Sequence, residues 1–331
     1  MPHQPIDLLP VDLRPFAFHG RPMPDQSTRE QLVADLIRLL AVTPAEPDHF
    51  TGRRKPGGVG RVFGGQVIAQ ALVAAERTVA DANRNEERPI HSLHAYFLRG
   101  GSEDHEIDFR IDRDLDGGSF SNRRVTASQQ VDGKIRPILT LSASFHRREN
   151  GVQHQDAMPN VPLPDLVPDE AESRARYARM LPERVQRAML TPRPIELRHL
   201  EPRHWMGAEP ADPVSHTWFR AAARLPDDPK LHRAVLAYAS DMTLLGTCTL
   251  PHALSWTRGN VMAVSLDHAI WFHADGQASE WRADEWLLYA CDSPWADRAR
   301  GFNRGRIYTQ DGRLVAEVAQ EGLVRKIAPK V

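Results

Sequence analysis

Asp241 has the strongest physical claim on chemistry. It falls in Ala237-Tyr238-Ala239-Ser240-Asp241-Met242-Thr243-Leu244-Leu245, a segment otherwise apolar enough to be buried. A carboxylate placed there needs a partner or takes up a proton. It therefore reads either as a cap or satisfied core acid, or as a base whose pKa burial has raised toward the working pH. A second acid stands beside a histidine, Asp267-His268, and such a pair could serve general base catalysis. Neighbouring strand residues face opposite sides of a sheet, however, so adjacency alone does not give the two a common site. Ser265 lies just upstream without the Gly-x-Ser-x-Gly elbow of an acylated nucleophile. The only cysteines, Cys248 and Cys291, have neither the number nor the spacing of a disulfide framework or a zinc site. They read as packed or idle thiols in a reducing compartment.

The elements that must hold these residues follow from the pattern of the chain. With 331 residues, 41% of them hydrophobic, the chain can bury a large core and is long enough for two domains. Forty-two basic residues against 43 acidic ones leave a net charge of -1, so no global field draws in nucleic acid. No run approaches the roughly 18 apolar residues of a membrane helix, the start lacks a signal peptide's apolar stretch, and the final residues are not a Ser-Lys-Leu address. The expectation is a cytoplasmic protein without a membrane span.

Residues 1–26 carry six prolines and no period, which predicts an extended or disordered lead-in. Ser27 with Glu30 reads as a capping box for an amphipathic helix carrying Leu32 to Leu40. From Phe63, Val67 to Ala75 are apolar on nearly every side, as in a helix buried all round. Strand-like runs follow at 91–98, 106–112, 119–130 and 136–146, the last two joined through Asp132-Gly133, a hairpin signal. Residues 149–192, proline-rich and then charged and helical around 170–187, read as a connection. The pattern then repeats over 193–331: strands at 194–200 and 216–222, an apolar helix from Leu231 to about Leu245, and strands at 261–273, 285–291, 301–309 and 314–325. Ser92-Leu93-His94-Ala95-Tyr96-Phe97 is echoed by Ser265-Leu266-Asp267-His268-Ala269-Ile270-Trp271-Phe272, and the Asp-Gly-Lys turn by Asp311-Gly312-Arg313. Two related units, 27–148 and 193–331, are the expectation.

Several ordered blocks resemble type II acyl-CoA thioesterases. In the first half these are Phe63-Gly64-Gly65-Gln66, His94 to Arg99, Asp116 to Val125 and Ala143-Ser144-Phe145. In the second half they are Tyr238 to Asp241, Leu266-Asp267-His268, Trp271-Phe272-His273, Asp284 to Tyr289, Ala299 to Phe302, Tyr308 to Gly312 and Gln320-Glu321-Gly322. The resemblance runs from about Ser27 to Arg325. It implies an α+β double hotdog: two antiparallel sheets, each wrapped around a central helix, joined into one long sheet. It also implies hydrolysis of fatty acyl-CoA to free acid and CoA by direct attack of a water held by Asp, Thr and Gln, with no metal or other cofactor. Carried over, the trio is Asp241, Ser265 and Gln320, with Ser265 departing from the more usual Thr. The family suggests a homodimer or homotetramer.

The repeat places His91 near the Ser265 position and Ser144 near Gln320, so one site per chain is expected. The oxyanion of a tetrahedral intermediate calls for a backbone N–H at a helix N-terminus, for which Gly64-Gly65 is a candidate, though equally a tight turn. Among Arg123, Arg124, Arg304 and Arg306 on paired strands, Arg124 and Arg304 are candidates to bind substrate, as coenzyme A carries phosphates. Solvated strand faces are the blander expectation for them. The rival functions are an enoyl-CoA hydratase using Asp267 or His268 and a non-catalytic acyl-CoA-binding protein.

Overall fold

A computed structural model describes residues 25–55, 60–82, 86–169, 174, 186, 190–201, 209–256, 258–277 and 280–328. The first half holds α1 (Gln26–Leu40), β1 (Val42–Glu46), β2 (His49–Gly52), α2 (Gly64–Ala82), β3 (Ile90–Phe97), β4 (Ile107–Asp116), β5 (Phe120–Val131) and β6 (Lys134–His146). The second holds β7 (Ile195–His199), β8 (Val214–Ala221), α3 (Pro229–Ser240), a 3-10 helix (Leu244–His252), β9 (Val261–Ser265), β10 (Asp267–Phe272), β11 (Leu287–Asp297), β12 (Arg300–Thr309) and β13 (Leu314–Lys326). All the strands lie in one antiparallel sheet of order β1-β2-β4-β5-β6-β3-β10-β13-β12-β11-β8-β7, with β9 also on β13. The order is a palindrome. Each strand of the first half has its counterpart at the mirrored place in the second, and the repeat's own anchor strands, β3 and β10, pair at the centre from Ser92↔Trp271 to Tyr96↔Asp267. This is the long joined sheet expected of a double hotdog.

Local sequence explains most of the elements. Asp132 and Gly133 both take positive φ, 51° and 72°, as a two-residue hairpin turn requires. β10 alternates cleanly, His268, Ile270 and Phe272 buried and Trp271 exposed. α2 is sheathed all round, with Ile68, Ala69, Ala71, Leu72, Ala74 and Ala75 inaccessible to solvent, because it packs on β4 to β6 on one side and on α3 on the other.

Several boundaries differ from the sequence expectation. Helix α1 is capped by Asp25, whose Oδ1 accepts Thr28 N–H at 2.8 Å, in place of the Ser27-Glu30 box. Residues 1–24, and all of the charged stretch 170–187 but Arg174 and Gln186, lie outside the described residues. The helix placed at 231–245 ends at Ser240, and the apolar residues beyond it form the 3-10 turns. The run 261–273 is two strands, broken at Leu266, with β10 resuming at Asp267. Asp267 Oδ1 accepts Glu321 N–H at 2.6 Å, where a β-ladder would place a carbonyl. Arg123 lies in the interior, bonded to Thr78 Oγ1 and Asp116 Oδ1, both at 2.8 Å.

The two central helices are also locked by charge. Arg233 on α3 donates to Glu76 on α2, Nε to Oε1 at 2.9 Å, with both side chains buried. Burial pushes the Glu76 carboxyl up, against the pull of Arg233. Removing one partner of such a pair strands the other's charge in the core. Arg233→Met is therefore expected to lower unfolding free energy by about 3–5 kcal/mol in urea titrations, and Arg233→Met with Glu76→Leu to recover most of that loss.

Candidate active site

Asp241 is the residue at which α3 stops. It occupies the C-cap position with φ -86° and ψ -3°, and its carboxylate points at the N-terminus of the other half's helix. Gly65 N–H bonds to it, and a Cβ on Gly64 would lie 2.7 Å from its Oδ2 and 2.8 Å from the Phe97 ring. A Cβ on Gly65 would meet the Tyr238 carbonyl oxygen at 2.4 Å. The two glycines thus let the end of α3 close onto the start of α2, where helix dipole and free N–H groups favour an anion.

On its other side Asp241 is held by β13. Gln320 Nε2 donates to Asp241 Oδ1 at 2.8 Å, and the same nitrogen lies 3.0 Å from His268 Nδ1 on β10. Behind it, His268 Nε2 lies 2.9 Å from Ser240 Oγ, and the Ser240 hydroxyl donates to Ala237 O at 2.9 Å. The Tyr289 hydroxyl closes the group by donating to the Ser240 carbonyl at 2.9 Å. Gln320 and His268 are wholly buried. Burial pushes the Asp241 carboxyl up to about 6, against the lowering effect of the Gln320 and Gly65 donors. The same burial pushes His268 down to about 3, so its ring is neutral. The 3.9 Å between His268 Nδ1 and Asp241 Oδ1 is accordingly not an ion pair.

Asp241 faces a cavity of about 460 Å³, lined also by Val62, Phe63, Gly64, Met242 and Ser265, with Leu245 and Trp256 among its apolar walls. Ser265, at the end of β9 opposite Gly322, shares this cavity with Asp241. Gln320 stands behind Asp241 and does not line it. Its two N–H groups are directed at Asp241 and His268.

The other candidates fall elsewhere. Of the glycine pair, Gly64 lines the cavity while Gly65 bonds Asp241. Arg124 is exposed on β5 and pairs with Asp112 and Asp114. Arg304, exposed on β12, pairs with Asp292 at 2.6 Å. The structure brings neither arginine to the cavity. Asp267 Oδ1 is taken by the Glu321 N–H, His268 is buried, and neither lines the cavity. His91 and Ser144, the first-half counterparts of Ser265 and Gln320, bond to each other at 2.8 Å. Among the described residues no group of three or more His, Cys, Asp or Glu is placed to hold a metal ion. Reading the sequence residue by residue missed His268 as Gln320's partner. The alternation of Asp267 to Phe272, which puts His268 on the face of Ile270 and Phe272, carried that signal.

Comparison with known proteins bears on the same residues. Residues 194–323 match the acyl-CoA thioesterase family and residues 53–146 match the acyl-CoA thioesterase N-terminal domain. Human acyl-coenzyme A thioesterase 8 is 37% identical over 316 residues, 93% of each chain. Acyl-CoA thioesterase 2 of Haemophilus influenzae is 33% identical over 294 residues, 89% of this chain and 98% of that one. Among solved structures, the acyl-CoA thioesterase II TesB2 of Mycobacterium marinum is 36% identical, with a TM-score of 0.68 over 89% of this chain and 99% of that one. A hotdog-fold protein from Alicyclobacillus acidocaldarius superposes with a TM-score of 0.65 over 88% of this chain and 98% of that one, at 19% identity, which speaks to the fold. The chain belongs to the acyl-CoA thioesterase family.

Proposed function

We propose that this protein hydrolyses fatty acyl-CoA thioesters to free acid and CoA by direct attack of water, with Asp241, Ser265 and Gln320 as the working residues. The observation that carries the proposal is the buried Asp241 carboxylate, its pKa raised to about 6, facing a cavity with apolar walls that also holds Ser265 and the start of α2. Family membership supports the substrate class, and the apolar walls support an acyl chain.

In this mechanism Asp241 and the Ser265 hydroxyl hold one water. As the water oxygen bonds to the thioester carbonyl carbon, Asp241 accepts its proton. The carbonyl oxygen gains negative charge next to Gly64, at the N-terminus of α2, where a backbone N–H and the helix dipole oppose it. Collapse of the tetrahedral species breaks the C–S bond, and the proton on Asp241 passes to the departing thiolate. Gln320 keeps the carboxylate oriented throughout. Water is favoured over Ser265 as nucleophile because both His268 nitrogens are engaged elsewhere, which leaves the serine without that base. Asp267, tied through Oδ1 to the Glu321 N–H, and His268, with both nitrogens engaged, likewise give no support to hydration chemistry.

We place the protein in the cytoplasm, a reading supported by two buried free cysteines. No helix among the described residues is long and apolar enough to cross a membrane. A homodimer or homotetramer is proposed on the family resemblance.

Activity requires the ionised form of Asp241, so the acid limb of kcat/KM is expected near pH 6, about two units above an ordinary Asp. Asp241→Asn is expected to lower CoA release, followed with a thiol-trapping reagent across acyl chain lengths, by about 10²–10⁴-fold. Undiminished release from this variant sinks the mechanism.

The same shift has a stability consequence. A carboxyl whose folded pKa is raised destabilises the native state once ionised, by about 3 kcal/mol above pH 6, a penalty that fades as pH falls through 6 and is gone below about pH 4. Asp241→Asn should therefore melt above the wild type at pH 8 and lose that advantage at pH 4.

Ser265→Thr keeps the hydroxyl and is expected to stay within about threefold of wild-type kcat/KM. Ser265→Ala should fall by about tenfold or more in the same assay.

A further inference from the structure

We infer that His268 is a positioning residue for Asp241: by accepting one N–H of Gln320, it fixes which end of that amide meets the carboxylate. The inference rests on the reading of Asp241 as the base and assigns a role to a residue outside the trio. It follows from counting hydrogens along the buried chain of contacts. Ser240 has one hydroxyl hydrogen, and it is directed at Ala237 O. The contact between Ser240 Oγ and His268 Nε2 at 2.9 Å therefore needs its hydrogen on Nε2. A neutral ring with Nε2 protonated has a bare lone pair on Nδ1. That lone pair faces Gln320 Nε2 at 3.0 Å, and Asp241 Oδ1 faces the same nitrogen at 2.8 Å.

Two acceptors thus converge on one amide end. With Nε2 there, both are satisfied. With the amide turned over, Gln320 Oε1 would confront a carboxylate and an imidazole lone pair inside a wholly buried site, where such mismatches are most costly. Oε1 instead faces away and has no partner among the described residues. The polarity set at Ser240 is handed through His268 and Gln320 to Asp241.

Few other groups set the charge of Asp241. Gly65 N–H reaches it from α2. Tyr289 on β11 bonds the neighbouring Ser240 carbonyl, and it and Cys291 are both pushed well above their usual pKa values by burial and are neutral. No lysine or arginine forms an ion pair with Asp241 among the described residues. Gln320 is therefore the chief side-chain donor that keeps the carboxylate ionised, and its orientation is expected to show in the pH profile.

The experiment compares His268→Asn, His268→Gln and Ser240→Ala for melting temperature and for kcat/KM from pH 4.5 to 8.5. Asn can place an acceptor near the Nδ1 position, whereas Gln mimics Nε2 and leaves Gln320 without one. Ser240→Ala removes the acceptor that pins the tautomer while altering little volume. The expected result is an acid limb within about 0.3 unit of wild type for His268→Asn, and moved upward by about half a unit to one unit for His268→Gln and Ser240→Ala. A residue that only filled space would rank the variants by melting temperature instead.

Acid limbs that follow melting temperature, or that do not move in Ser240→Ala, overturn the assignment. If the histidine variants fail to fold, Ser240→Ala decides alone. If Asp241→Asn releases CoA as the wild type does, it is the reading of Asp241 that fails. If Asp241→Asn is inactive and the acid limb stays put in the other variants, only the role of His268 falls.

Discussion

Everything at the site depends on one contact, the approach of the end of α3 to the beginning of α2. Two helices from different halves of the chain meet so closely that the Tyr238 carbonyl leaves no room for a side chain at Gly65. That closeness lets the Asp241 carboxylate take a backbone N–H from the opposite helix. The Glu76–Arg233 pair holds the same two helices in register further along. An acid at a helix C-terminus is electrostatically misplaced with respect to its own helix, whose dipole turns its negative end there. It is rescued by the positive end of the other. The site is therefore a property of the pair of halves and not of either one.

The palindromic sheet raises the question of a second such arrangement. An exact two-fold would place an equivalent site at the start of α3 and the end of α2. The chain has diverged there. α3 begins at Pro229 behind an Asp228 cap where α2 begins with Gly64-Gly65; proline has no N–H, and the Lys230 N–H is taken by Asp228 Oδ1 at 2.9 Å, so that end lacks the free N–H groups that Asp241 uses. The strand residues corresponding to Ser265 and Gln320 have become His91 and Ser144, which satisfy one another.

Much of the architecture was legible because it is written in periodicity. The all-round apolar character of α2, the alternation along the strands and the Asp-Gly turn are local signals, and the repeat itself disclosed two equivalent halves. What could not be read locally was whatever depends on partners distant in sequence. Asp267 reads as half of an acid–histidine pair, whereas its carboxylate accepts the Glu321 N–H of the neighbouring strand. Arg123 and Arg124 are neighbours with the same side-chain chemistry, yet Arg123 is buried against Thr78 and Arg124 is exposed, because a strand sends successive residues to opposite faces. Asp241 was conspicuous for its surroundings alone. Gln320 and Ser265 were visible only through family resemblance, since an amide in a strand and a serine before a leucine carry no mark of their own.

The central seam between β3 and β10 has a further consequence. Were the halves separate chains, each would expose one of these strands as an open edge of unpaired N–H and carbonyl groups, the kind of edge that recruits foreign strands. Their meeting would also depend on protein concentration. Carried on a single chain, each edge always has its partner at hand, at the high effective concentration that tethering provides. A site composed of parts from both halves thus remains assembled at any dilution.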